Sequence, residues 1–281
     1  LLEVLTTANN ASNSKVLSSL MRTVEKCADV CDPEDIEPLV KPLYEHVKAS
    51  QLNMALPALK LLFAIHKKSG QIPIEFYNFL YSSLLSADFT GTSKHPQLLN
   101  FLMEALLNET NESIICNFIH RLLQVGLEMN VTFSIAVLIF MIKLFEAKPE
   151  LYKIFSVENP EADKQYILFL EKQYTSVDAV SETDLLNPAG IESFPWILSL
   201  YTTHYHPAIR ELATTLLSQN HSFEYNGDVF DDFSTTNQLH RIAHGTSTST
   251  EENEFFNSCF REFDEIPDFP DEAFLEQMAA D

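Results

Sequence analysis

The sequence predicts an all-α fold: a HEAT/armadillo-like helical repeat array followed by a disordered or extended acidic C-terminal tail. Three observations predict it. Only 6 of the 281 residues are glycine, and alternating strand patterns bounded by glycine turns are nearly absent. Hydrophobic residues make up 46% of the chain, enough for a sizeable core. From about residue 13 to 155, apolar residues recur at three- and four-residue steps, the spacing that lines one helix face.

The first helical stripe is Val16, Leu20, Val24 and Cys27. Cys31-Asp32-Pro33-Glu34 breaks the chain and restarts it, with Asp32 as cap and Pro33 in the first turn. Pro38 and Pro42 blur the next boundaries, because proline removes a helix donor. A stronger helix runs near 54–69 on Ala58, Leu62 and Ile65, with Lys67 and Lys68 in its last turn and Gly70 closing it. Pro73 opens the stripe Tyr77, Leu80, Tyr81 and Leu84, and 86–93 reads as a loop. Pro96 opens the helix carrying Leu99, Leu102 and Leu106, and Asn111 caps 112–127. The run 132–146 is apolar nearly all round, so it must lie between other helices.

The array occupies 1–155 and is followed by a polar connection, 156–192, with a short helix near 162–174. A helical corner spans 193–218, a loop-like linker 219–250, and an acidic aromatic tail 251–281. The stacked-pair reading rests on helix rhythm, since no repeated motif is visible. The chain starts with Leu1-Leu2 and reads as an internal piece of a longer protein. No leader pattern is visible, and the longest apolar run, Ile135 to Ile142, is too short to span a bilayer.

The net charge is −22, of which residues 251–281 supply −10. Such a chain is repelled by bare nucleic acid and suits basic protein partners. Four cysteines (Cys27, Cys31, Cys116, Cys259) are too few for a disulfide framework. Cys27 and Cys31 stand four apart, but read as buried thiols rather than zinc ligands, which need further partners.

Glycine-rich phosphate loops, nucleophile elbows and metalloprotease motifs are all missing from the sequence, so no enzyme is predicted. No cofactor, small-molecule substrate or membrane partner is expected. Asn-x-Ser/Thr triplets at Asn10, Asn108, Asn111, Asn130 and Asn220 read as chance or as helix caps. The sharpest local signal is Pro195-Trp196-Ile197-Leu198 followed by His204-Tyr205-His206-Pro207. Pro207 stops one helix and starts the next, whose face is Ile209, Leu212, Ala213 and Leu216. The expectation is a structural corner (Trp196, His204, Tyr205, His206, Pro207) filled by its own rings. A metal there would need more ligands than His204 and His206. In the tail, Phe255, Phe256, Phe260, Phe263, Phe269 and Phe274 interleave with acids, which suits docking to a basic groove on a partner or on the chain itself.

Two stretches carry a resemblance. Ile74-Glu75-Phe76-Tyr77-Asn78-Phe79-Leu80-Tyr81-Ser82-Ser83-Leu84-Leu85 resembles the "FYxxLYxxLL" helix of the CCAAT-binding-factor family, and Asn117 to Val125 and Lys148-Pro149 follow in family order. Trp196 to Ala213 resembles that family's tryptophan helix and "H-aromatic-HP" corner. The chain departs at Ile197, where the family has an acid, at His120, and at Phe230-Asp231-Asp232-Phe233, which replaces a basic segment. The resemblance implies a non-catalytic nucleolar scaffold of ribosome biogenesis. On its large-subunit branch it implies a heterodimer with a second nucleolar complex protein, on pre-ribosomal particles and their rRNA. The small-subunit branch and a generic HEAT-like adaptor are the competing readings.

Overall fold

A computed structural model describes residues 14–27, 33–85, 89, 92–156, 189–218, 225, 227–237 and 239. Asp32, Cys31, the helix expected near 162–174 and the tail phenylalanines fall outside them, as does the side chain of Cys27. The elements are α1 (Ser14–Cys27), α2 (Pro33–Ala49), α3 (Leu52–Ser69), α4 (Ile74–Leu85), α5 (His95–Asn108), α6 (Glu112–Glu128) and α7 (Val131–Ala147). A 3-10 helix (Pro149–Ser156), α8 (Ala189–Thr202), α9 (Pro207–Leu217) and the short α10 (Val229–Asp232) follow. No strand occurs among the described residues.

The packing is that of a two-layer stack. Helices α4, α6 and α8 lie side by side in one layer, and α3, α5, α7 and α9 in the other. The pairs α3/α4, α6/α7 and α8/α9 tie the layers together. Contacts between every second helix are what stacked helix pairs produce. α7 sits at the centre of the stack: twelve of its residues are buried, as its all-round apolarity requires.

Local chemistry sets most helix ends. Gly70 adopts φ 78 and closes α3, its N–H donating to the Lys67 carbonyl at 3.2 Å. The Asn111 side chain accepts from the Ser113 N–H at 3.0 Å, and Asn130 accepts from the Phe133 N–H at 2.9 Å. Two of the Asn-x-Ser/Thr triplets are therefore helix caps. Asn108 ends α5, donating from its amide to the Glu104 carbonyl at 2.7 Å.

Four expectations need correction. In α1 the buried residues are Leu17 and Met21, while Val16 is 56% exposed. The stripe is rotated by one residue, because α1 packs against α3 on that side. α2 runs unbroken through Pro38 and Pro42. Packing against α3, with Leu43 buried and Tyr44 bonded to His66 Nε2 at 2.9 Å, overrides the lost helical bonds. The segment 86–93 is no surface loop at Phe89, whose ring is buried against His95 and Phe133. The Phe89 carbonyl is also bonded to His95 Nε2 at 2.8 Å. Finally, 219–250 is not simply a linker, since Tyr225 and Phe233 are buried and α10 packs on α7.

Pro57 lies inside α3 and is itself buried. It lacks the N–H that would reach the Asn53 carbonyl four residues earlier. Lys94 fills that role, donating from Nζ to the Asn53 carbonyl at 2.7 Å. Burial, then the nearby Arg22 charge, hold the Lys94 ammonium below its usual lysine range. Lys94→Met is expected to lower unfolding free energy by about 0.5–1 kcal/mol, because water only partly replaces the lost donor at this exposed carbonyl. Chemical denaturation checks this, and a second change, Pro57→Ala, should recover part of the loss by restoring the helical N–H.

Candidate functional site

The corner singled out in the sequence joins α8 to α9. Its inner side is built by three helices meeting at Gly126. Tyr201 on α8 is fully buried, and its hydroxyl donates to the Leu123 carbonyl on α6 at 2.6 Å. Burial holds that phenol protonated far above its usual range. Ser134 on α7 donates to the Gly126 carbonyl at 2.6 Å. A side chain at Gly126 would overlap the Tyr201 hydroxyl. Glycine is needed there for close approach rather than for backbone freedom.

The turn is set by backbone geometry. The His204 and Thr203 N–H groups donate back to the Tyr201 and Leu200 carbonyls. Pro207 occupies the first turn of α9, and His206 stands at its cap position in extended conformation (φ −82, ψ 125). The His206 N–H donates to His204 Nδ1 at 3.1 Å, so that nitrogen serves as the acceptor. Burial lowers the basicity of His204. His206 is buried, and burial with the neighbouring His204 charge lowers its pKa to about 4.

Beyond the turn the chain doubles back. The Asp228 side chain caps α10 by accepting from the Phe230 N–H at 3.0 Å. Phe233 is fully buried with its ring edge-on to His206, and its carbonyl accepts from Thr132 on α7 at 2.7 Å. The Tyr225 hydroxyl donates to Asp232. The Phe230-Asp231-Asp232-Phe233 segment therefore braces the corner, a role that its acidic composition concealed.

The rings do not fill the corner as expected. Trp196 is 59% exposed and Tyr205 is 78% exposed. α8 turns Ile197, Leu198 and Tyr201 inward, which places Trp196 and Leu200 on the opposite side. Tyr205 stacks on His204 with ring centroids 4.4 Å apart instead of entering the core. Trp196→Ala is accordingly expected to cost under about 1 kcal/mol of stability, the range of surface substitutions, rather than the loss of a buried ring. Thermal unfolding of the variant checks this.

Among the described residues, no three His, Cys, Asp or Glu side chains lie close enough to hold a metal ion. Cys116 is buried, and burial pushes its thiol up to about 12, far from a reactive thiolate. No described helix is long and apolar enough to cross a membrane.

The sequence profile of the CBF/Mak21 family matches residues 55–213, from the first buried turns of α3 through the corner to α9. The chain belongs to the CBF/Mak21 family. It is 22% identical over 285 residues to mouse CCAAT/enhancer-binding protein zeta, covering 82% of this chain and 27% of that protein. It is 25% identical to ribosome biogenesis protein NOC1 of Chaetomium thermophilum, covering 74% of this chain and 22% of that protein. It is 24% identical to nucleolar complex protein 3 homolog of Danio rerio, covering 74% and 26% respectively. The chain thus spans about a quarter of the length of these relatives. The family match takes in Gly126, Tyr201 and the His204–Pro207 turn, so the three-helix junction lies inside the family's own unit.

Proposed function

We propose that this chain is a non-catalytic scaffold of nucleolar ribosome biogenesis, acting on large-subunit pre-ribosomal particles together with a second nucleolar complex protein. The observation that carries this reading is the family match, which coincides with the two-layer helical stack. Two relatives bear the names ribosome biogenesis protein and nucleolar complex protein. The helices present long surfaces, which suits holding partners in place rather than transforming a substrate. The large-subunit assignment rests on the likeness of the Arg121-Leu122-Leu123-Gln124-Val125 run and the α4 helix to that branch. Contact with rRNA is secondary, given a net charge of −22. The six tail phenylalanines serve as anchors on a basic partner groove.

The test is affinity purification of the tagged full-length protein, resolved on a sucrose gradient with and without RNase. Large-subunit precursors with one stoichiometric helical partner support the proposal. Small-subunit precursors move the protein to the other branch. A light, RNA-free peak leaves only a general adaptor.

A further inference from the structure

Three helices that pack together are nearly free of acid. α1 and α5 both pack on α3. Of the chain's 40 Asp and Glu, these helices hold Glu25 and Glu104. Against them stand Arg22, Lys26, Lys60 and Lys67, with Lys94 at the start of α5. Both acids are already matched. Glu104 pairs with Lys67 at 3.2 Å, and Lys60 is the cation that acts most strongly on Glu25. Arg22, Lys26 and Lys94 are then in excess, in a chain whose net charge is −22.

The fold gathers these cations and holds several of them in place. Lys60 lies over the Phe101 ring at 5.8 Å and Lys67 over the Phe63 ring at 5.7 Å, and the two rings meet edge-on in the core. The Lys94 ammonium is fixed on the Asn53 carbonyl at 2.7 Å. After burial, the Arg22 charge is what lowers the Lys94 pKa, so α1 and α5 turn like charges toward each other. The Ser18 hydroxyl, one turn before Arg22, reaches the Met54 sulfur at 3.9 Å and ties that side of α1 to α3. Side chains already held by rings and carbonyls lose little further freedom when an anion arrives.

The chain's own tail matches that face. Residues 251–281 supply −10 of the net charge. α10 packs on α7 and α7 on α5, two steps of roughly 8–10 Å each. Residues 240–250 span up to about 40 Å, so the acids from Glu251 onward come within reach. A tethered segment meets its own chain at an effective concentration on the order of millimolar, which favours it over an acidic segment of another protein. A phosphate backbone must instead approach against a net charge of −22. We propose that residues 251–281 dock on the α1–α3–α5 face of their own chain. Their carboxylates meet Arg22, Lys26 and Lys94, and a phenylalanine ring meets Leu107, which is 41% exposed one turn beyond Glu104. The partner groove assigned above to the phenylalanines competes with this face for the same segment. Only that competition rests on the scaffold reading.

The test treats the purified full-length protein with a carbodiimide, which joins lysine amines to carboxylates in contact, and maps the products. Links from Lys26, Lys60, Lys67 or Lys94 to residues 251–281 should form within one chain, at a yield that dilution does not change. Raising the salt from about 0.1 M to about 1 M should cut that yield several-fold, as the Debye length falls from roughly 10 Å to 3 Å. The double change Arg22→Glu and Lys26→Glu, at two exposed positions, should cut the tail links at Lys67 and Lys94 about tenfold or more, with the unfolding temperature unchanged. If that variant unfolds early, the triple change Glu262→Lys, Asp264→Lys and Glu265→Lys, outside the described helices, should do the same to links from the remaining tail acids. Links that vanish on dilution, tail links elsewhere on the chain, or an undiminished yield in the variants would overturn the proposal. So would protection of these lysines by bound RNA in place of tail links, which assigns the face to a phosphate backbone. None of these readouts needs a pre-ribosomal particle, so failure of the ribosomal reading leaves them intact.

Discussion

Replacing Tyr201 by alanine is expected to lower the unfolding free energy by about 3–5 kcal/mol, the cost of deleting a fully buried aromatic ring. The ring anchors α8 to α6, the broadest helix–helix contact in the molecule's described part. Its hydroxyl also donates to the Leu123 carbonyl. The partner change is Gly126→Ala, which gains helix propensity but drives a methyl group into the Tyr201 hydroxyl. Alone it should destabilise by roughly 1–3 kcal/mol, the usual cost of overpacking. Tyr201→Phe removes the overlapping oxygen and should also cost about 1 kcal/mol for the lost hydrogen bond. Combined, the two should be more stable than Gly126→Ala by itself. Denaturant titration of the four proteins in the cycle measures this coupling. Strict additivity would mean that the hydroxyl and Gly126 do not oppose each other in solution.

Stability is expected to fall by about 3 kcal/mol between neutral pH and pH 4 through His206 alone. The sign follows from burial. The unfolded chain protonates this histidine near 6.5, whereas the folded chain resists until about 4. Between those values the unfolded state holds the extra proton, so acid favours unfolding. Above 6.5 the contribution is fully present. His204, Tyr205 and Phe233 stand beside the ring. His46, His66 and His204 are also lowered by burial, so the wild-type profile alone does not isolate the effect. His206→Phe keeps a ring against Phe233 and removes the titration. Its stability should fall less steeply between pH 6.5 and pH 4 than that of the wild type. Equal slopes would show that His206 is not buried in the folded protein.

Much of the fold was legible because the signals are local. Gly70, Pro96, Asn111 and Asn130 set helix ends through groups within one turn. The apolar run of α7 could only be buried between helices. The corner was legible too, since Pro207 permits one conformation and His206 precedes it. Harder to read were the helices that proline interrupts. Pro38 and Pro42 lie inside a helix that packing against α3 holds together. Phe233 follows two acids and gave no sign of burial, because its partners Thr132 and His206 are distant in the sequence.

Within the corner, the sequence by itself determined that a helix carrying Trp196 turns sharply at Pro207 into another helix. It did not determine which side of α8 faces the core. Trp196, Ile197, Leu198, Leu200 and Tyr201 spread over more than half of the helix circumference, so periodicity does not choose between the Trp196 edge and the Tyr201 edge. The neighbouring α6 decides it, because Gly126 leaves room for the Tyr201 hydroxyl and the Leu123 carbonyl accepts its hydrogen bond. That choice buries Tyr201 and leaves Trp196 in solvent. The apolar content of a helix is written in its own residues, whereas its rotation about its axis is fixed by the shape of the neighbour it meets.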